Sequence, residues 1–401
     1  MAWLLRIGFK HSLIGITVHF PTNSRFRRYS MRTLFCSTWL WLRWCLLPLT
    51  LSMSILAQAD DATSELTAQQ CSSIRSKLAQ MTGVMVPFED FPRLEQVARK
   101  GELSLVGLLG EPDTTLPAKI ARLQSLSPIP LLFASDEESR SVQRLENLIY
   151  KLPTSRRMVS SGSSSVRDLF EDYGRAMRSL GVQINMAPVA DVGRGPGIGY
   201  RSFGKDPEQV REFGQAVIDG LTAAGVMPVI KHFPGHGSAT ADTHEGLAKT
   251  PPLVALMPEL NVFRSLISND TAIMVGHLVI PDLTSGQPAS LSHMAITQLL
   301  RETLGFDGLV ITDALDMSAI TDSYSQSSAG LQSIYAGADI ALVSTLAQQQ
   351  QLLDKLEQAY NNGDLSPQRI GDSVQRVLEA KTRLGNSTFK QVKLAHVRCD
   401  G

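Results

Sequence analysis

The stretch "GVMPVIKHFPGHG", Gly225–Gly237, decides the fold. Its apolar residues follow one another without the alternation of a half-exposed strand. That pattern suits a strand covered on both faces in a parallel sheet. The run stops at Lys231 and His232 and turns at Pro234-Gly235. Seven further runs have the same character: "TGVMVPF", "LSLVGLLG", "IPLLFAS", "VQINMAPVA", "TAIMVGH", "GLVITD" and "DIALVST". Between them lie segments such as "DPEQVREFGQAVIDGLTAAG" and "AQQQQLLDKLEQAYNNGDL", where apolar residues return every three or four positions, as on amphipathic helices. The Gln run after Ala347 thereby reads as a helix face. Eight strand–helix units predict an α/β fold, a single-domain (β/α)8 barrel of the TIM type over residues 60–401.

Polar residues follow these runs in a pattern. Asp136 follows "PLLFAS", Asp191 follows "NMAPVA", Lys231 and His232 end "GVMPVI", His277 follows "AIMVG" and Asp313 follows "GLVIT". Each falls at the C-terminal end of an expected strand, the face on which barrel enzymes assemble their sites. For Asp191 or His277 alone, a strand-end cap explains the position equally well. The whole set points to a site.

Residues 1–59 have a different composition. They hold seven of the 38 Lys and Arg residues and all four tryptophans, but no Asp or Glu. From Met31 a basic residue, an apolar run and the small-residue end Ala57-Gln58-Ala59 form the pattern of a secretory signal peptide, with Met31 as a possible true start. Arg43 interrupts the apolar run, which argues against a membrane span. The mature chain is therefore expected to begin near Asp60, to be exported to a periplasmic or extracellular location, and to have no stable membrane insertion. Without the leader the net charge is near −7, which disfavours a nucleic-acid partner. Cys71 and Cys399 remain, either bridging the ends of the domain or as free thiols.

The loop "KHFPGHGSATADTHEG", Lys231–Gly246, admits a metal or a proton-transfer reading. His232 and His236 have the i, i+4 spacing of a zinc pair on a helix, but Pro234 and the adjacent glycines oppose a helix, and no Cys or HExxH joins them. No metal and no cofactor is expected. Asp242 and His244 lie two residues apart, on one side of an extended segment, where a carboxylate can orient an imidazole and keep its proton available. The small residues of "GSATA" suit a loop that closes over a substrate.

"KHFPGHG" followed by "DTH", with "YRSFGKDP" before and "ITDALDM" after, resembles the signature set of glycoside hydrolase family 3, in its single-domain β-N-acetylglucosaminidase branch. The likeness runs from about residue 75 to 385 and implies a (β/α)8 barrel. By motif position it makes Asp313 the catalytic nucleophile, His244 the general acid/base and Asp242 its partner. It gives Lys231, His232, Arg201, Asp136 and Arg144 to the hydroxyls of the terminal sugar. The implied activity is retaining exo-hydrolysis of terminal β-linked N-acetylglucosamine from peptidoglycan fragments or chitooligosaccharides. Alternatives are a β-glucosidase or β-xylosidase on the same fold, or a sugar-binding protein that has lost its chemistry.

Two departures from the family pattern stand out. Where the family reads Asp-Gln-Glu-Gly-Gly-Arg-Val-Gln-Arg, this chain reads "DEESRSVQR", with Ser139, Arg140 and Ser141 in place of the glycine turn and its arginine. Ala314 stands where a second aspartate often follows the nucleophile. The first change is expected to reshape the floor of the sugar pocket. With no tryptophan after residue 44, Phe233, Tyr200 and Phe203 are the aromatics expected to stack on a sugar.

Overall fold

Each apolar run contributes a strand because its residues alternate between two dry environments. The computed structural model describes residues 73–385. Its strands are β1 (Thr82–Pro87), β2 (Leu105–Leu109), β3 (Leu132–Ser135), β4 (Ile184–Asn185), β5 (Met227–Phe233), β6 (Ala248–Lys249), β7 (Ala272–Val275), β8 (Leu278–Val279), β9 (Val310–Thr312) and β10 (Ala341–Val343). Met85, Leu105, Ile184, Met227, Val229, Met274, Ile311 and Leu342 pack together inside the sheet. Their neighbours Val84, Val86, Val106, Phe133, Ile230, Ile273, Val275 and Val310 pack outward in a second cluster with the helices. Both faces are buried, so the sequence shows no polar alternation.

The eight-stranded sheet runs β10-β1-β2-β3-β4-β5-β7-β9, with all pairs parallel. A bridge from Ile311 to Ile340 joins its two ends, and Val310 O accepts from the N–H groups of Asp339 and Ile340 at 2.8 and 3.1 Å. The expected (β/α)8 barrel is therefore observed. At the N-terminal ends of the strands, the helix Pro367–Leu384 adds Val377, Ala380 and Leu384 to the interior cluster and plugs the barrel. The Gln run lies in the helix Leu346–Asn361.

Three local readings change. "VQINMAPVA" is a strand only at Ile184–Asn185, with a single further bridge from Val189 to Lys231. Proline at 188 has no N–H for the ladder, which limits regular pairing there. Phe203 and Phe233 are 6 % and 0 % exposed, packed against Phe213 and Phe263, and so belong to the core. Of the three expected sugar platforms only Tyr200, 79 % exposed, is accessible. Asp242 and His244 sit in a turn, not an extended segment: Glu245 N–H donates to Asp242 O at 3.0 Å.

The leader read into residues 1–59, the start at Met31, and both Cys71 and Cys399 lie outside the described residues. Among the described residues no helix is long and apolar enough to cross a membrane.

Candidate active site

The C-terminal rim of the barrel gathers its polar residues around the end of β5. Lys231, 2 % exposed, reaches two carboxylates: Nζ lies 2.7 Å from Asp136 Oδ1 and 2.5 Å from Glu138 Oε1. Arg201 forks onto the same Glu138, with Nε and Nη2 at 2.9 and 2.7 Å from its two oxygens. Two cations thus face two anions in a nearly dry cluster, a geometry in which paired charges are stabilised and a lone one would be costly. Burial opposes charge on Glu138, yet Lys231 and then Arg201 drive its carboxyl down to about 2. Burial also pulls the Lys231 ammonium down, but Asp136 and Glu138 outweigh it and hold it above its usual value.

His232 is fixed by Asp191. The fully buried Asp191 carboxylate accepts from His232 Nδ1 at 2.7 Å, from His232 N–H at 3.2 Å and from His236 N–H at 2.7 Å. Burial works against the charge on Asp191, and the His232 and His236 rings overcome it to keep its pKa below the ordinary value. With Nδ1 committed, His232 turns Nε2 towards Arg201 Nη2 at 3.3 Å and Asp313 Oδ2 at 4.0 Å. An acid that sets the orientation and tautomer of a ring in this way is a common support for site histidines.

Asp313 follows β9 directly. Its N–H donates to Val275 O at 3.0 Å, and its Oδ1 accepts the Ala314 N–H at 2.8 Å. Burial disfavours the carboxylate, but His232, His277, the Ala314 N–H and Lys231 together hold its pKa below the usual range, so it is ionised at neutral pH. His277 secures this segment from below. Wholly buried, it donates from Nε2 to Ala314 O at 2.9 Å and accepts at Nδ1 from Ser290 Oγ at 2.7 Å. Burial lowers its pKa and favours that neutral form.

The Asp242–His244 pair stands on the open side. One oxygen of Asp242 accepts both the His244 N–H at 3.0 Å and His244 Nδ1 at 2.7 Å, an Asx turn that also orients the ring. The His244 side chain is 64 % exposed, and its Nε2 is left to meet a ligand. Thr243 moors the turn: its Oγ1 bonds His236 Nε2 at 3.1 Å, and its carbonyl accepts from Ala319 N–H at 3.2 Å. Ala319 lies six residues beyond Asp313, so the loop is tied to the segment that carries that acid.

Among the sequence candidates, Asp136, Arg201, Lys231, His232 and Asp313 are joined by these contacts, and Asp242 with His244 forms a second group. Arg144 does not enter the ion-pair cluster. Its backbone N–H binds Glu137 Oε1 at 3.1 Å, while its Nε is buried with no protein partner. Of the substituted hairpin residues, Arg140 and Ser141 are exposed and Ser139 is buried. Sequence reasoning gave no role to Glu138 and left Asp191 and His277 as possible caps. Glu138 could have been found: alternate residues leaving a strand share a side, which groups it with Asp136 and sets Glu137 opposite. His232 and His236 do not form a helical pair, and among the described residues no group of three His, Cys, Asp or Glu is placed to hold a metal.

Residues 94–380 match the family model described as the glycosyl hydrolase family 3 N-terminal domain. The chain is 41 % identical over 326 residues to the β-hexosaminidase LpqI of Mycobacterium tuberculosis, covering 77 % of this chain and 83 % of that protein. A crystal structure of a glycosyl hydrolase of the same family from Mycobacterium smegmatis superposes with a TM-score of 0.73 at 39 % identity, covering 77 % of this chain and 97 % of that one. A family 3 β-N-acetylglucosaminidase from a Paenibacillus species has a TM-score of 0.73 at 30 % identity, covering 81 % of this chain and 64 % of that one.

Proposed function

The chain belongs to glycoside hydrolase family 3, and on that premise we propose that it is an exported retaining exo-β-N-acetylhexosaminidase. Its substrates on this reading are peptidoglycan fragments or chitooligosaccharides ending in β-linked N-acetylglucosamine. One observation carries the assignment of roles: an ionised carboxylate at the end of β9 shares a rim with a loop histidine whose Nδ1 is held by Asp242 and whose Nε2 is free.

Asp136, Lys231, Arg201, His232 and Arg144 hold the hydroxyls of the terminal sugar. His244, protonated at Nε2, gives that proton to the glycosidic oxygen as Asp313 attacks the anomeric carbon. The bond to the leaving sugar breaks and a glycosyl–Asp313 ester forms. His244, now neutral, takes a proton from water, whose oxygen attacks the same carbon and releases the sugar with retained configuration. The steps are those of a two-carboxylate retaining glycosidase with an Asp-supported histidine as the acid/base.

The purified mature protein is expected to hydrolyse an aryl β-N-acetylglucosaminide, and Asp313→Asn to fold normally while losing turnover by several orders of magnitude. Because neighbouring groups hold Asp313 below its ordinary pKa, the limb of kcat/KM that it governs falls only in acid, as the nucleophile protonates. Mass spectrometry after inactivation by a fluorinated sugar checks the residue. A label on another carboxylate would remove Asp313 from this role.

A further inference from the structure

Between the two exposed members of the acid/base pair stands a buried residue. The side chains of Asp242 and His244 are 41 % and 64 % exposed, whereas Thr243 is 2 % exposed. The pair is held mostly by itself: Asp242 accepts from the His244 backbone and ring, and the Glu245 N–H closes on Asp242 O. Among the described residues, the hydrogen bonds that leave residues 241–246 all belong to Thr243. Its Oγ1 meets His236 Nε2 at 3.1 Å, and its carbonyl accepts the Ala319 N–H at 3.2 Å.

His236 is a fixed seat for that hydroxyl. Its N–H donates to Asp191 Oδ1 at 2.7 Å, its carbonyl accepts the Ala239 N–H at 3.0 Å, and its ring meets the His232 ring edge-on with centroids 5.7 Å apart. The chain also passes so close that a methyl on Gly197 would lie 2.5 Å from His236 Cε1 and 2.7 Å from Nδ1. Burial, and next the His232 ring, lower the pKa of His236, so at neutral pH the ring is neutral and carries one proton. Nδ1 has no acceptor among the described residues, which leaves that proton on Nε2 as a donor to Thr243 Oγ1.

Thr243 thereby joins three parts of the site. Through His236 it reaches Asp191, which sets His232; through Ala319 it reaches the segment that carries Asp313; and along the chain it holds Asp242 and His244 on either side. We propose that Thr243, seated on His236, is a positioning residue for proton transfer: it pins the turn and so fixes where His244 presents its proton. The inference rests on the acid/base reading of His244. A general acid works only within hydrogen-bond reach of the oxygen it protonates. Two exposed side chains that bond mainly each other cannot set that distance, and a misplacement of about 1 Å can cost roughly 10²-fold in rate. A buried hydroxyl on a fixed partner supplies the constraint. Its loss spares the Asp242–His244 bond, which is local to the turn, but lets the turn take positions from which the proton does not reach.

The test is the single-turnover glycosylation rate of the mature protein on a β-linked N-acetylglucosamine disaccharide and on a nitrophenyl β-N-acetylglucosaminide, with the inhibition constant of free N-acetylglucosamine. Thr243→Val exchanges the hydroxyl for a methyl of similar size. It should slow the disaccharide by about threefold to tenfold, the worth of one buried hydrogen bond. The nitrophenyl rate, which needs no proton, and the inhibition constant should stay near those of the wild type. Thr243→Ser returns the hydroxyl and should recover most of the lost rate. His236→Leu removes the other partner and should show the same split between substrates, which decides the matter if Thr243→Val does not fold. Combining the two should cost no more than the worse single change, as two halves of one contact require. Equal losses on both substrates, or a disaccharide rate left unchanged or raised, would overturn the proposal. His244→Ala measured alongside separates the two failures. A split there without one in Thr243→Val overturns the pin alone, whereas equal losses in His244→Ala overturn the acid/base reading and the pin with it.

Discussion

His244 has one nitrogen held by Asp242 at 2.7 Å and the other open to a ligand, the disposition a general acid needs. A proton matters most to a leaving group that cannot depart as an anion. His244→Ala is therefore expected to slow glycosylation of a natural disaccharide by roughly 10²–10⁴-fold. A nitrophenyl glycoside should be much less affected, since nitrophenolate leaves unaided. Single-turnover rates on the two substrates check this, and equal losses would make His244 a binding residue. The motif makes Asp242 and His244 visible in the sequence, but they lie in a turn and not in the extended segment that their spacing predicts. The side chain of Asp242 bonds the backbone two residues on and bends the segment into a turn.

At the scale of the element, the turn after β5 depends on close backbone approach. A methyl on Gly237 would lie 1.9 Å from Val192 O and 2.5 Å from Val192 C. Neither atom can swing aside as a side chain would, so the segment after Asp191 must move and take the support of His232 with it. Gly237→Ala is expected to cost about 1–3 kcal/mol of stability and to depress sugar binding. Gly371 provides the contrast. It is exposed within the helix Pro367–Leu384, and a methyl there meets nothing within 4 Å. Gly371→Ala should stabilise the protein by about 0.5–1 kcal/mol and leave activity alone. Denaturant midpoints and KM values measure both variants.

For the molecule as a whole, the seam between β9 and β10 closes the barrel with a single bridge. Asp339, 0 % exposed, reinforces it. Its carboxylate accepts from Val310 N–H at 2.9 Å, Arg301 Nη2 at 2.7 Å, Ser373 Oγ at 2.6 Å and Arg376 Nη1 at 3.3 Å. One side chain thereby joins β9, the helix Met294–Thr303 and the terminal helix Pro367–Leu384. Asp339→Ala leaves Arg301 without its buried counter-ion and is expected to cost about 3–5 kcal/mol. Chemical denaturation should record the loss. Protein that remains folded at low temperature should keep its KM, because the seam lies at the starts of the strands and the candidate site at their ends.

What the sequence determined by itself was local. Apolar runs covered on both faces, helical spacing between them and polar residues at strand ends follow from periodicity and composition, and they sufficed for a (β/α)8 barrel and for a candidate site on its C-terminal rim. The motifs added Asp313, His244 and Lys231 as candidates. Tertiary structure alone decided the partners. Arg201 meets Glu138 across 63 residues, His232 meets Asp191 across 41, and the Asp339 seam draws on residues up to 38 positions away. It also decided that Phe203 and Phe233 are core while Tyr200 is open to solvent. Residue type and spacing say what a side chain can do. Which charge it meets, and how dry the meeting is, depends on strand register and helix packing between segments far apart in the chain.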